Sequence, residues 1–133
     1  MGFIDLFGKK KRYVDEQNYE ANLARQEQMN SSTLSELGKY GVTDEKHLSL
    51  EFFFYSDKPE NAKALAENLK GLNYRIENAG PSAANKRIWC VSGWTTKIRM
   101  NLPSVTGWAK QMCAMGYELD CDFDGWGTNP QQD

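Results

Sequence analysis

At 133 residues, 40% of them hydrophobic and 12% aromatic, the chain has room for one domain with a single core. A formal net charge of −2, with only two short basic clusters (Lys9-Lys10-Lys11-Arg12 and Lys86-Arg87), excludes the broad basic footprint that a phosphate backbone requires. Three cysteines, Cys90, Cys113 and Cys121, lack metal-ligand spacing and fit reduced thiols at core positions of a cytoplasmic protein.

The chain opens with Phe3, Ile4, Leu6 and Phe7 ahead of the basic run, the reverse of a secretory signal. Such a segment could touch a membrane surface through residues 1–12, but a frayed or self-docked terminus is the simpler reading of so short a patch. No stretch reaches the ~20 apolar residues of a membrane-spanning helix. Residues 14–29 have helical propensity but a thin apolar stripe (Tyr19, Leu23, Met29), which predicts a peripheral helix. Asn30-Ser31-Ser32-Thr33 then reads as a break before a short helix at 34–39. Residues 1–44 are accordingly expected to form a tail with peripheral helices, and 45–133 the domain proper.

Residues 48–55 read as a central strand, because Phe52-Phe53-Phe54-Tyr55 is apolar on both faces. Ser56-Asp57 and Pro59 open a helix whose Ala62, Leu65, Ala66 and Leu69 recur at i, i+3, i+4 and i+7. A strand at 74–78, a breaker-rich loop at 80–85 and a strand at 87–94 follow; in the latter Ile88, Cys90 and Ser92 share one face, Trp89 and Val91 the other. Pro103 opens a second amphipathic helix with Val105, Trp108, Ala109, Met112 and Met115 inward and Gly116 as its stop.

From 117 to 124, Tyr117, Leu119, Cys121 and Phe123 alternate with Glu118, Asp120, Asp122 and Asp124, which predicts a strand carrying four carboxylates on one face. The order is then β-α-β-β-α-β. The helix exits also echo each other, Leu72-Asn73-Tyr74-Arg75-Ile76 against Met115-Gly116-Tyr117-Glu118-Leu119. Both features predict an α+β fold, a ferredoxin-like split-βαβ sandwich with an antiparallel sheet and an extra N-terminal helix.

Asp120, Asp122, Asp124 and Gly125 match the start of an EF-hand loop, but Gln131 stands where its bidentate Glu belongs and a strand replaces the leading helix. No metal or other cofactor is expected. His47 is the only histidine and lies in a charged stretch with no partner in sequence, so no catalytic residue is assigned. An RNA-recognition module has the same element order, with Phe53, Tyr55 and Trp89 as stacking candidates. The strand at 86–93 fails that module's sequence pattern, and an acidic neighbour would repel RNA; cover by the N-terminal helix or a second subunit is the favoured reading of these aromatics.

The segment Glu51-Phe52-Phe53-Phe54-Tyr55-Ser56-Asp57, the helix bearing Ala62, Leu65, Ala66 and Leu69, Tyr74, and the closing Phe123-Asp124-Gly125-Trp126-Gly127-Thr128 together resemble the RraB family. The resemblance covers roughly residues 48–128 and implies a cytoplasmic bacterial protein without catalytic activity that docks on a protein partner, as an inhibitor docks on ribonuclease E. The chain departs from the inhibitor type in having no long acidic tail and in its basic-aromatic start. An immunity or antitoxin role against a toxin, and a homodimer, remain open alternatives. Glu118, Asp120, Asp122 and Asp124 are the expected partner contacts, since a one-sign stripe can steer a basic surface. Asp124, Gly125, Trp126 and Gly127 are expected to form a turn around a buried aromatic anchor.

Overall fold

The computed structural model describes residues 11–132, so the expectations for residues 1–10 lie outside the described residues. Helix α1 spans Glu16–Gly38, strand β1 His47–Leu48, β2 Glu51–Ser56, helix α2 Pro59–Gly71, β3 Arg75–Pro81, β4 Trp89–Trp94, β5 Ile98–Arg99, helix α3 Leu102–Glu118 and β6 Asp122–Gly127. The chain is α+β. Four strands make one sheet in the order β3-β4-β2-β6 with antiparallel neighbours, and β1 and β5 pair separately.

One face of the sheet carries the core. Phe52 and Phe54 of β2 are fully buried beside Val91 and Phe123, and α2 lays Ala62, Leu65, Ala66 and Leu69 on them as its periodicity predicts. Helix α3 adds Val105, Trp108, Ala109, Met112 and Cys113, with Trp108 edge-on to Phe123 at 5.7 Å between ring centroids. Lys58 caps α2 with no side-chain bond, leaving Pro59 at the first turn, whereas Asn101 caps α3 by accepting from the Ser104 amide at 2.8 Å.

The N-terminal region departs most from expectation. The helix does not break at Asn30; α1 runs uninterrupted to Gly38 and packs against α3 and β6. Its buried face is polar: Asn22, Gln26 and Asn30 recur every four residues and turn inward, followed by Leu37. Asn22 Nδ2 donates to the Phe123 carbonyl at 2.7 Å and Gln26 Nε2 to the Asp124 carbonyl at 3.2 Å. Asn30 Oδ1 accepts from Trp126 Nε1 at 2.8 Å. Asn22 and Gln26 thereby satisfy carbonyls on the outer edge of β6, which would otherwise be an open template for strand pairing. Tertiary hydrogen bonds thus override weak local helix propensity at 30–33.

The second correction concerns residues 117–124. Tyr117 and Glu118 belong to α3, and β6 begins only at Asp122. The stop is Leu119-Asp120, where Asp120 takes φ +55, and not Gly116. Gly116 is instead a point of close approach: a Cβ there would lie 2.6 Å from the Cys121 carbonyl oxygen and 3.1 Å from the Phe54 ring. The structural echo is therefore Leu72-Asn73-Tyr74-Arg75-Ile76 with Leu119-Asp120-Cys121-Asp122-Phe123, four residues beyond the register expected from sequence. In both exits the amide two residues past the cap returns to the helix, Tyr74 to Leu69 at 3.2 Å and Cys121 to Gly116 at 2.7 Å.

Candidate partner-binding site

The sheet face away from α2 and α3 bears a different set of side chains. Register places Phe53 beside Ser92 and Tyr55 beside Cys90, with Glu51 beside Trp94. On the flanking strands Asn78 lies opposite Ser92, Arg75 opposite Trp94, and Asp122 opposite Tyr55. Phe53, Tyr55, Cys90 and Trp94 are half-buried. Cys90 is thus a residue of this face, while Cys113 and Cys121 sit in the core as expected. Burial pushes the Cys113 thiol up to about 12 and the Cys121 thiol to about 11, so both stay protonated and unreactive.

Trp89 belongs to the other face, where Lys63 Nζ lies 5.3 Å from its ring centroid. It cannot join Phe53 and Tyr55 in a stacking platform. Helix α1 does not cover those two aromatics either, because it lies along α3 and the outer edge of β6. Among the described residues, no helix packs across this face.

The four expected contact carboxylates do not form one stripe. Glu118 is exposed at the end of α3. Asp120 is buried at 4% exposure and accepts from the Tyr13 amide at 2.9 Å, the Val14 amide at 2.8 Å and Lys58 Nζ. Its own carbonyl accepts from Ser56 Oγ at 2.9 Å, and Lys58 also donates to the Lys11 carbonyl at 2.9 Å. Burial alone would raise the Asp120 carboxyl, but the bonds from Lys58, Val14 and Tyr13 outweigh it and hold it below the usual carboxylate range. Burial would likewise lower Lys58, and its bonds to Asp120 and Asp57 raise it instead. Asp120 therefore ties the entering chain to the exit of α3, and Arg12, stacked on Tyr117 at 4.3 Å, reinforces the junction.

Asp122 and Asp124 do remain at the sheet face. Asp122 is half-buried and Asp124, at a bulge between the Phe53 and Phe54 pairings, is exposed. Burial and then the Asp124 charge raise the Asp122 carboxyl, with Arg25 acting against them. Burial raises the Tyr55 phenol, and Asp124 adds to the shift. Because Asp120 turns into the core, the EF-hand-like carboxylates do not converge; no group of three His, Cys, Asp or Glu among the described residues is placed to hold a metal. His47 is exposed on β1, its Nδ1 3.1 Å from the Glu45 carbonyl.

Asp124, Gly125, Trp126 and Gly127, expected as a turn, lie instead within strand β6, at and beyond its bulge. Trp126 is half-buried, packs against the core and bonds fully buried Asn30, while Gly125 adopts φ +145. The polar ladder Asn22, Gln26 and Asn30 escaped sequence reading because amides do not register in a hydrophobic pattern. Their four-residue spacing was the available signal.

No helix among the described residues is long and apolar enough to cross a membrane. None of the curated proteins compared matches the chain. A family model described as "Regulator of ribonuclease activity B" matches residues 27–128, from the second half of α1 to just past the end of β6. With that match spanning most of its length, the chain belongs to the RraB family.

Proposed function

We propose that this protein is a non-catalytic, cytoplasmic regulator that binds a ribonuclease of the E type and lowers its activity. Family membership supports regulation of ribonuclease activity, and the sheet face bearing Phe53, Tyr55 and Trp94, which no helix among the described residues covers, supports docking as its means. Strand order and element order also support reading the four-stranded unit as a ferredoxin-like split-βαβ sandwich. Of the four carboxylates expected at the interface, Asp122 and Asp124 are the pair available on that face; Glu118 stands apart and Asp120 serves the fold.

The observation that carries the docking reading is the combination of half-buried aromatics with the carboxylates of Asp122 and Asp124 on one sheet face, a composition suited to a protein interface. The experiment is surface plasmon resonance against the host ribonuclease, paired with a cleavage assay. Binding at micromolar affinity or tighter, with slower cleavage, is expected. Asp122→Asn with Asp124→Asn should slow association and flatten its salt dependence. Unaltered cleavage at saturating protein would overturn the regulatory assignment.

A further inference from the structure

We infer that the occupant of the open sheet face is an extended, arginine-rich segment of the partner protein, laid across Phe53 and Tyr55 with its cations on Asp122 and Asp124. The inference rests on the docking reading above and specifies the partner's chemistry. Charge is the first argument. Glu51, Glu77, Asp122 and Asp124 are the acidic residues at or beside this face; among the described residues two guanidiniums oppose them, Arg75, which is already 3.4 Å from Glu77, and Arg25, which acts on Asp122. Glu77 also accepts from Trp94 Nε1 at 3.1 Å, so this corner of the face is occupied internally. At the β2–β6 side Asp124 is exposed and forms no ion pair with the described residues, so the acidity gathers there.

The second argument is how the chain treats two of its other surface aromatics. Tyr117 is covered by Arg12 and Trp89 by Lys63, each a cation over a ring. At Tyr55 the nearby side chain of fixed charge is the Asp124 carboxylate. A ring edged by carboxylates is the arrangement that receives an incoming guanidinium, which stacks flat on the aromatic and reaches a carboxylate with its N–H fork.

The third argument is mutual repulsion. Asp122 and Asp124 lie two residues apart, and the half-buried Asp122 carries a desolvation cost and its neighbour's field that Arg25 offsets only in part. A cation between them relieves both. Lysine would supply charge without the planar fork, so arginine should be preferred. A nucleic-acid strand would stack on the same rings but would bring phosphates against these carboxylates.

The test uses three fluorescein-labelled probes in anisotropy titrations at about 0.05 and 0.15 M salt, where screening separates contact from steering. They are a 12-residue peptide alternating Arg with Ser, its Lys counterpart, and a 12-nucleotide single-stranded RNA. Amide chemical shifts of the full chain locate each probe and, separately, the ribonuclease. The arginine peptide should bind at least fivefold tighter than the lysine peptide and shift amides of Phe53, Tyr55 and Cys90. Asp122→Asn with Asp124→Asn should weaken it at least tenfold, while Glu118→Gln, away from the face, leaves it within twofold. RNA binding on this face tighter than the arginine peptide would overturn the inference, as would equal affinity for both peptides. If the ribonuclease shifts these amides and the arginine peptide does not, the inference fails and the docking reading stands. If the ribonuclease shifts another surface, the docking reading fails.

Discussion

Asn73 and Asp120 are structural equivalents. They are the two described non-glycine residues with positive φ, +67 and +55, and each sits at the same point of a returning helix exit, one ahead of β3 and the other ahead of β6. Asn and Asp tolerate the left-handed region better than other side chains, which suits both to the task. Asp120 has acquired a second one. Its carboxylate receives Lys58 and the amides of Tyr13 and Val14, so a residue that ends α3 also fixes where the chain enters the fold.

Removing one partner of a buried ion pair strands the other. Asp120→Asn keeps the backbone preference and loses the charge, and should cost about 3 kcal/mol; Lys58→Met should cost a similar amount. In urea denaturation the double variant should cost less than the sum of the singles, because neither leaves a charge unpaired. Additive losses would mean that the pair is not coupled.

The pH dependence has a defined sign at each group. Asp120 is depressed in the folded state, so its contribution is present above the unfolded carboxylate value of ~3.9 and is lost as pH falls through its lower folded value. Lys58 is raised, so its contribution holds below ~10.4 and is lost as pH rises through the folded value. The gap in urea midpoint between the native chain and Asp120→Asn should be constant from pH 6 to 8 and narrow in strongly acidic solution. Asp122 runs the other way: its raised value penalises the charged form, so Asp122→Asn should stabilise the fold at pH 7.

Trp126 and Asn30 form the bond that joins α1 to the last strand. Trp126→Phe retains the ring but leaves the fully buried Asn30 oxygen unpaired, and should cost about 1–3 kcal/mol. Trp126→Ala should cost about 3 kcal/mol, near the low end for an aromatic because the ring is half-buried. Thermal melts check both, with far-ultraviolet circular dichroism at low temperature confirming that the fold persists.

Gly93 lies where β4 meets β3 most tightly. A Cβ there would come within 2.1 Å of the Arg75 carbonyl oxygen, a backbone atom that cannot rotate away. Gly93→Ala should destabilise by about 3 kcal/mol or more and speed amide exchange in β3 first. Ala at Gly107, where nothing lies within 4 Å, is the matched control and should be neutral or better.

The apolar framework could be read from sequence because it repeats with the period of its elements. Ala62, Leu65, Ala66 and Leu69 on α2, and Trp89 and Val91 against Cys90 and Ser92 on β4, needed no coordinates to assign. The closing motif with its family likeness was visible for the same local reason. Tertiary structure alone decided the rest. Alternation from Tyr117 to Asp124 looks like a strand, yet the last turn of α3 and a left-handed Asp120 occupy its first half, because the chain must turn there to enter the sheet beside β2. Likewise Asn22, Gln26 and Asn30 look like solvent residues until β6 is placed beside them. A buried amide is stabilised only by the partner it finds, and that partner lies about a hundred residues away.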